Sequence, residues 1–155
     1  MRKLMIATLA IWVVQSCFAQ ATRDNEVAIR SVIKQFENNW NERNAKAQAS
    51  LFAPEGDQIL FDRAVATGPT EIEQQWTILN PQFPKGRKIS IAVNTVRFPL
   101  ADIAVVNASA TFTDGQDKTG KTLQPYRDRA TYVFLKSEQA WKITALRVYP
   151  AMKSN

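Results

Sequence analysis

Histidine is absent from all 155 residues. Its absence removes the commonest general base, the usual transition-metal ligand and every Ser-His or Cys-His nucleophile scheme at once. Cysteine occurs once, as Cys17, so no intrachain disulfide can close. Glycine is scarce, at five residues, and none belongs to a phosphate-cradling loop. HExxH, calcium-loop spacing and Asp/Glu clusters are missing too, so neither a metal nor another cofactor is expected. Basic residues outnumber acidic ones, 20 to 14, but they are scattered. Their one cluster, Lys85-Gly86-Arg87-Lys88, reads as a solvated loop, and without a stacked-aromatic signature no nucleic-acid partner is expected.

What is present begins with an export signal. Arg2 and Lys3 precede the uncharged apolar run Leu4 to Val14, and Ala19-Gln20-Ala21 ends it with the small residues a signal peptidase reads. The run is too short to span a bilayer. Cleavage after Ala21 or Ala19 is therefore expected, giving a signal peptide over residues 1–21, one domain over residues 22–155, and a periplasmic or secreted bacterial protein off the membrane. A competing reading makes Cys17, after Val14-Gln15-Ser16, the lipidated first residue of a lipoprotein. The remaining length and a 45% hydrophobic content suit a single core.

Periodicity then divides the chain. Ile29, Ile33, Phe36 and Trp40 recur at helical spacing, predicting an amphipathic helix from Asp24 to Trp40. A second, short helix is expected from Ala45 to Phe52, a turn at Pro54-Glu55-Gly56-Asp57, and a short strand from Gln58 to Phe61. Thr70 and Glu73 have capping-box spacing and predict the start of a third helix, which Asn80-Pro81 stops. The rest alternates with period two: residues 88–98, residues 103–113 with Ala104, Val106, Ala108, Ala110 and Phe112 on one face, and a closing hairpin over residues 129–149. Three helices followed by a long antiparallel sheet predict an α+β fold with the helices packed on one sheet face.

The hairpin carries the densest chemistry. Read without interruption, Trp141, Ile143, Ala145, Arg147 and Tyr149 share a face, and pairing Leu135 with Trp141 sets Arg129 opposite Arg147. Two like charges in register call for an acid or an anionic ligand between them. The same parity turns Tyr132, Phe134, Leu146 and Val148 outward, an apolar sheet surface that a symmetric homodimer would cover.

Taken together, Ile29-Arg30 leading to Phe36, the Trp40-Asn41 helix end, Leu51-Phe52-Ala53, Gly68 with Ile72, Arg129 with Thr131 and Val133, and Trp141 with Ile143 give the chain its resemblance. From about Val27 to Pro150 it resembles the nuclear transport factor 2-like superfamily, within it the SnoaL-like domains and the group akin to the association domain of calcium/calmodulin-dependent kinase. The resemblance implies a cone of curved antiparallel sheet closed by three N-terminal helices, enclosing a pocket, and often dimeric through the convex face. Members include isomerases, hydrolases, dehydratases, cyclases and non-catalytic binding or assembly domains, so fold fixes no reaction. Many relatives carry a histidine where this chain has Arg147.

Three functions are expected from these residues. The first is binding of a small ligand, carboxylate-bearing or planar, with Arg129 and Arg147 as a clamp and Trp40, Phe61 and Tyr149 as stacking walls. The second is ketosteroid isomerase-like or SnoaL-like acid/base catalysis by an aspartate, with Asp62 favoured over Asp114 and Asp128 and with Tyr126 or Tyr132 as hydrogen-bond donor. The third is a non-catalytic homodimeric assembly module.

Overall fold

The computed structural model describes residues 2–61, 63–138 and 140–150, with side chains from residue 20 onward. The side chain of Cys17 and the whole of Asp62 lie outside the described residues. Helix α1, Arg2–Asn41, contains the predicted amphipathic segment, and its stripe of Ile29, Ile33, Phe36 and Trp40 is buried along its length. Arg43 reverses the chain in a left-handed conformation, φ 58°, and Asn44 caps α2, Ala45–Ala49, by accepting a bond from the Ala47 N–H at 3.0 Å. This helix is shorter than expected because Ser50 caps it and Phe52 already belongs to a strand. No helix among the described residues is long and apolar enough to cross a membrane.

Strand β1, Phe52–Leu60, runs through the segment expected to turn at Pro54-Glu55-Gly56-Asp57. Turn composition misleads here because β1 carries an irregularity between Phe52 and Asp57, where residues 53–56 have no ladder partner on the neighbouring strand. Pro54 therefore forfeits no ladder bond, and Gly56 lets two backbones approach: a Cβ on it would lie 2.5 Å from the Ile143 carbonyl oxygen. Strand β2, Ala66–Thr67, leads into α3, Gly68–Leu79. That helix starts earlier than the Thr70 cap predicts. Thr67 is its N-cap, Pro69 sits in the first turn, and Glu71 Oε2 accepts the Thr67 N–H at 2.8 Å, so the carboxylate half of a capping box operates from Glu71 and not Glu73.

After a 3-10 turn at Asn80–Gln82 come β3, Lys88–Leu100, β4, Ile103–Thr113, β5, Tyr126–Ser137, and β6, Ala140–Pro150. The six strands form one sheet in the order β2-β1-β6-β5-β4-β3, antiparallel except where β1 lies parallel to β6. The architecture is the predicted α+β arrangement of helices against one face of a mostly antiparallel sheet. Helix α1 also finishes the β3 edge: the Asn41 side chain accepts from the Ile89 N–H at 2.8 Å and donates to its carbonyl at 3.0 Å. Glu37 Oε2 does the same for the Ile91 N–H at 2.7 Å.

The closing hairpin departs from its expected register. Trp141 pairs with Lys136, Lys142 with Leu135, and between Val133 and Phe134 the ladder shifts, leaving Thr144 as an extra residue on β6. A one-residue bulge inverts every side chain beyond it. Trp141 and Ile143 point into the core as expected, but so do Leu146 and Val148, while Arg147 and Tyr149 move to the opposite, convex face. On β5 the buried set is Asp128, Ala130, Tyr132 and Phe134. The apolar patch expected to support a dimer is thus part of the core, and Arg129 faces Tyr149 while Arg147 faces Thr131.

Candidate functional site

Small residues on the concave sheet face create a void. Ala110 on β4 and Ala130 on β5 are buried yet cannot reach the helices, and around them opens a cavity of about 220 Å³. Helix α1 supplies Phe36 and Trp40 to its wall, α3 supplies Trp76 and Leu79, and the sheet supplies Ile89, Phe112, Tyr132 and Val148. Aromatic rings meet edge to face: Phe36 against Tyr132 at 5.7 Å and against Trp76 at 6.2 Å, Trp40 against Phe112 at 5.5 Å and against Phe83 at 5.0 Å. Exposed residues mark the mouth: Phe61, Arg63, Gln82 and Tyr126. Phe61 holds a left-handed backbone, φ 59°, unusual for a bulky residue, with its N–H bonded to the Val148 carbonyl at 3.0 Å.

Polar groups are few and placed with purpose. Tyr132 is 2% exposed. Burial, and after it the charge of Glu37, raises its pKa above the ordinary tyrosine value. The Trp76 indole N–H is buried without an acceptor among the described residues. Tyr126 stacks on Phe112 at 4.5 Å, and its pKa is raised by burial and by Asp128, with Arg87 opposing. Among the described residues no carboxylate lines the cavity.

The sequence-predicted site residues fall into two groups. Trp40 and Phe61 line the cavity. Arg129, Arg147 and Tyr149 lie across the sheet from it, and the expected arginine pair does not form because of the bulge. Arg147 instead grips Asp57 with two bonds, Nη1–Oδ1 at 2.6 Å and Nη2–Oδ2 at 3.0 Å, and those bonds raise its pKa. Arg129 and Tyr149 flank a shallow depression with Asn94, Asn107 and Thr131. Asp114 is an exposed turn residue with φ 55°. Asp128 is 3% exposed and shares the inward parity of Ala130 and Tyr132. Among the described residues no group of three or more His, Cys, Asp or Glu is arranged to hold a metal.

Two arginines escaped sequence reasoning. Arg87 is not solvated, as the basic cluster suggested, but 4% exposed, packed against Gly115 with its guanidinium carbon 5.3 Å from the Tyr126 ring centre. Arg43 lies over two cavity rings, 4.0 Å from the Trp40 centre and 5.0 Å from that of Phe83, and donates from Nη2 to the Arg87 carbonyl at 3.1 Å. Burial lowers its pKa. The only sequence signal for Arg43 was its place directly after the Trp40-Asn41 helix end.

A helix-closed curved sheet around an aromatic cavity is the cone of the cystatin-like, nuclear transport factor 2-like fold. Solved structures share it closely. A domain of unknown function with a cystatin-like fold from Nostoc punctiforme matches with a TM-score of 0.72 at 23% identity, over 83% of this chain and 78% of that one. A ketosteroid isomerase-like protein from Erwinia carotovora atroseptica matches at 0.69 and 15%, over 81% and 95%. The hexachlorocyclohexane dehydrochlorinase LinA-type3 from Novosphingobium barchaimii matches at 0.76 and 11%, over 86% and 91%. No protein-family model matches the chain, and no curated protein matches its sequence.

Proposed function

We propose that this protein is an exported binding domain for a small planar, largely apolar molecule held in the aromatic cavity. The observation that carries this reading is the cavity wall of apolar rings, among which the Trp76 N–H is buried without a hydrogen-bond partner among the described residues. A buried polar group without a partner is costly, and a ligand atom that accepts from it removes the cost. The carboxylate clamp of Arg129 and Arg147 has no support, since both lie on the other face of the sheet. Calorimetric titration with 2-naphthamide, a neutral planar probe, should show binding, accompanied by a change in tryptophan emission from Trp40 and Trp76. A flat titration across a panel of neutral and charged planar aromatics would contradict the reading.

A second reading, proton transfer by an aspartate, is favoured by one observation: Asp128 is buried on the concave side, in register with Ala110 and two residues from two cavity-lining positions, Tyr126 and Ala130. It predicts turnover of an enolisable ketone that Asp128→Asn or Asp62→Asn eliminates, and retention of turnover in both variants counts against it. Homodimerisation through the convex face, whose hydrogen-bonded Asn94, Ser109, Asn107 and Thr131 make it polar, belongs to the same proposal and is tested by light scattering.

A further inference from the structure

Three guanidinium groups lie in or against the wall of the cavity. Arg63 lines the mouth directly, Arg43 lies on the rings of Trp40 and Phe83, and Arg87 lies against Tyr126. Among the described residues none of the three has a carboxylate within ion-pair distance; the ion pairs involve Arg30, Lys34 and Arg147. Among the described residues Arg43 Nη1 and Arg87 Nε are moreover buried donors without acceptors, although a guanidinium normally spends its donors on carboxylates or carbonyls. Arg87 Nη1 reaches only the Gln124 carbonyl, at 3.4 Å. Among the described acids, Asp128 acts on Tyr126 through its charge and Glu37 on Tyr132. Glu37 is already committed to Lys34 and the Ile91 N–H.

Burying unpaired guanidinium donors beside apolar rings is unfavourable in the empty protein and favourable once an anion arrives. We infer that the cavity takes an organic anion, its ring or chain among the aromatic side chains and its carboxylate-type head group at the mouth beside Arg63, with the guanidinium charges of Arg43 and Arg87 stacked on the Trp40, Phe83 and Tyr126 rings that line it. This rests on the cavity-binding reading and adds the ligand's charge to it. Arg43 is held by its backbone: it takes a left-handed turn at φ 58° three residues after Trp40, and Asn80 Nδ2 donates to its carbonyl at 3.0 Å. The planar forks stack on rings in a way a lysine ammonium cannot copy.

The test compares 3-phenylpropanoate with its neutral isostere 3-phenylpropanamide by calorimetry on the purified protein. The wild type should bind the carboxylate at least about tenfold more tightly, and the preference should shrink as salt rises. Arg63→Gln and Arg43→Gln should each reduce that preference, and the double variant should bring the two affinities within about twofold. Arg63→Gln alters an exposed side chain, so the comparison stands even if the Arg43 variant folds poorly. Equal affinities in the wild type overturn the anion subsite and leave the cavity reading intact; so does an unchanged preference in the Arg63→Gln variant together with Arg43→Gln or Arg87→Lys. Failure of both compounds and of 2-naphthamide to bind overturns the subsite and the cavity reading together.

Discussion

Filling the cavity from the sheet side should stabilise the empty protein and abolish binding. Ala130 is buried on β5 and lines the cavity, so Ala130→Leu places three more carbons into existing space. At about 0.8 kcal/mol for each buried CH2 the change contributes about 2.4 kcal/mol, reduced by about 0.5–1 kcal/mol for the lost rotamer freedom of leucine. The net gain of about 1.5–2 kcal/mol raises Tm by roughly 5–8 °C in a domain of this size. Ala108 provides the contrast, because it pairs directly with Ala130 across the β4–β5 ladder and is equally buried but does not line the cavity. There the same substitution overpacks the core and should cost about 1–3 kcal/mol. Thermal melts of the two variants, followed by titration with 2-naphthamide, complete the comparison. Ala130→Leu should gain stability and lose at least about tenfold in affinity. Destabilisation by both substitutions, or an Ala130→Leu protein that binds the probe unchanged, would refute the reasoning.

Three further outcomes follow from other elements. Tyr132 keeps its proton in the folded state above the pH at which an unfolded tyrosine loses it. Its raised pKa therefore contributes stability that is complete below about pH 10 and falls by about 1.4 kcal/mol per pH unit above it until the folded group titrates. Melts between pH 8 and 11 should show that fall, and Tyr132→Phe should reduce it to the part that the raised pKa of Tyr126 leaves. Gly56→Ala forces a methyl to within 2.5 Å of the Ile143 carbonyl unless β1 and β6 separate, so a loss of about 2 kcal/mol or more in urea unfolding is expected. Asn41→Ala strips both side-chain bonds from Ile89 at the β3 edge and should cost about 1–3 kcal/mol, with faster amide exchange concentrated in β3 as the mark of a local effect.

The helices and the central strands were legible because burial imposes a period. The stripe from Ile29 to Trp40 and the alternation from Ala104 to Phe112 were read correctly, residue for residue, since each lies on an uninterrupted element with one buried face. Reading failed where the period breaks. Pro54 and Gly56 have turn composition but occupy an irregular strand, and nothing local announces that Ile143 passes beside them. Thr144 has no sequence feature that marks it as the extra residue of a bulge, yet it decides which side of the sheet Arg147 and Tyr149 occupy. The candidate site inherits that error. Trp40 was identified because it closes a visible stripe, whereas Arg43 and Arg87 depend on contacts between segments far apart in the chain, Arg43 with Phe83 and Arg87 with Tyr126.

The bulge at Thr144 also separates two tasks that one strand would otherwise confound. Before it, β6 turns Trp141 and Ile143 toward the helices; after it, Leu146 and Val148 take over the inward side and the outward residues become Arg147 and Tyr149. Deleting Thr144 would exchange the second pair of sets at a stroke, bringing a charge and a phenol to the cavity and expelling the two aliphatics. Substitutions at Arg147 and Tyr149, by contrast, can remodel the outer surface while the ligand chamber keeps its walls. A single extra residue thus makes the two faces of the last strand independently variable.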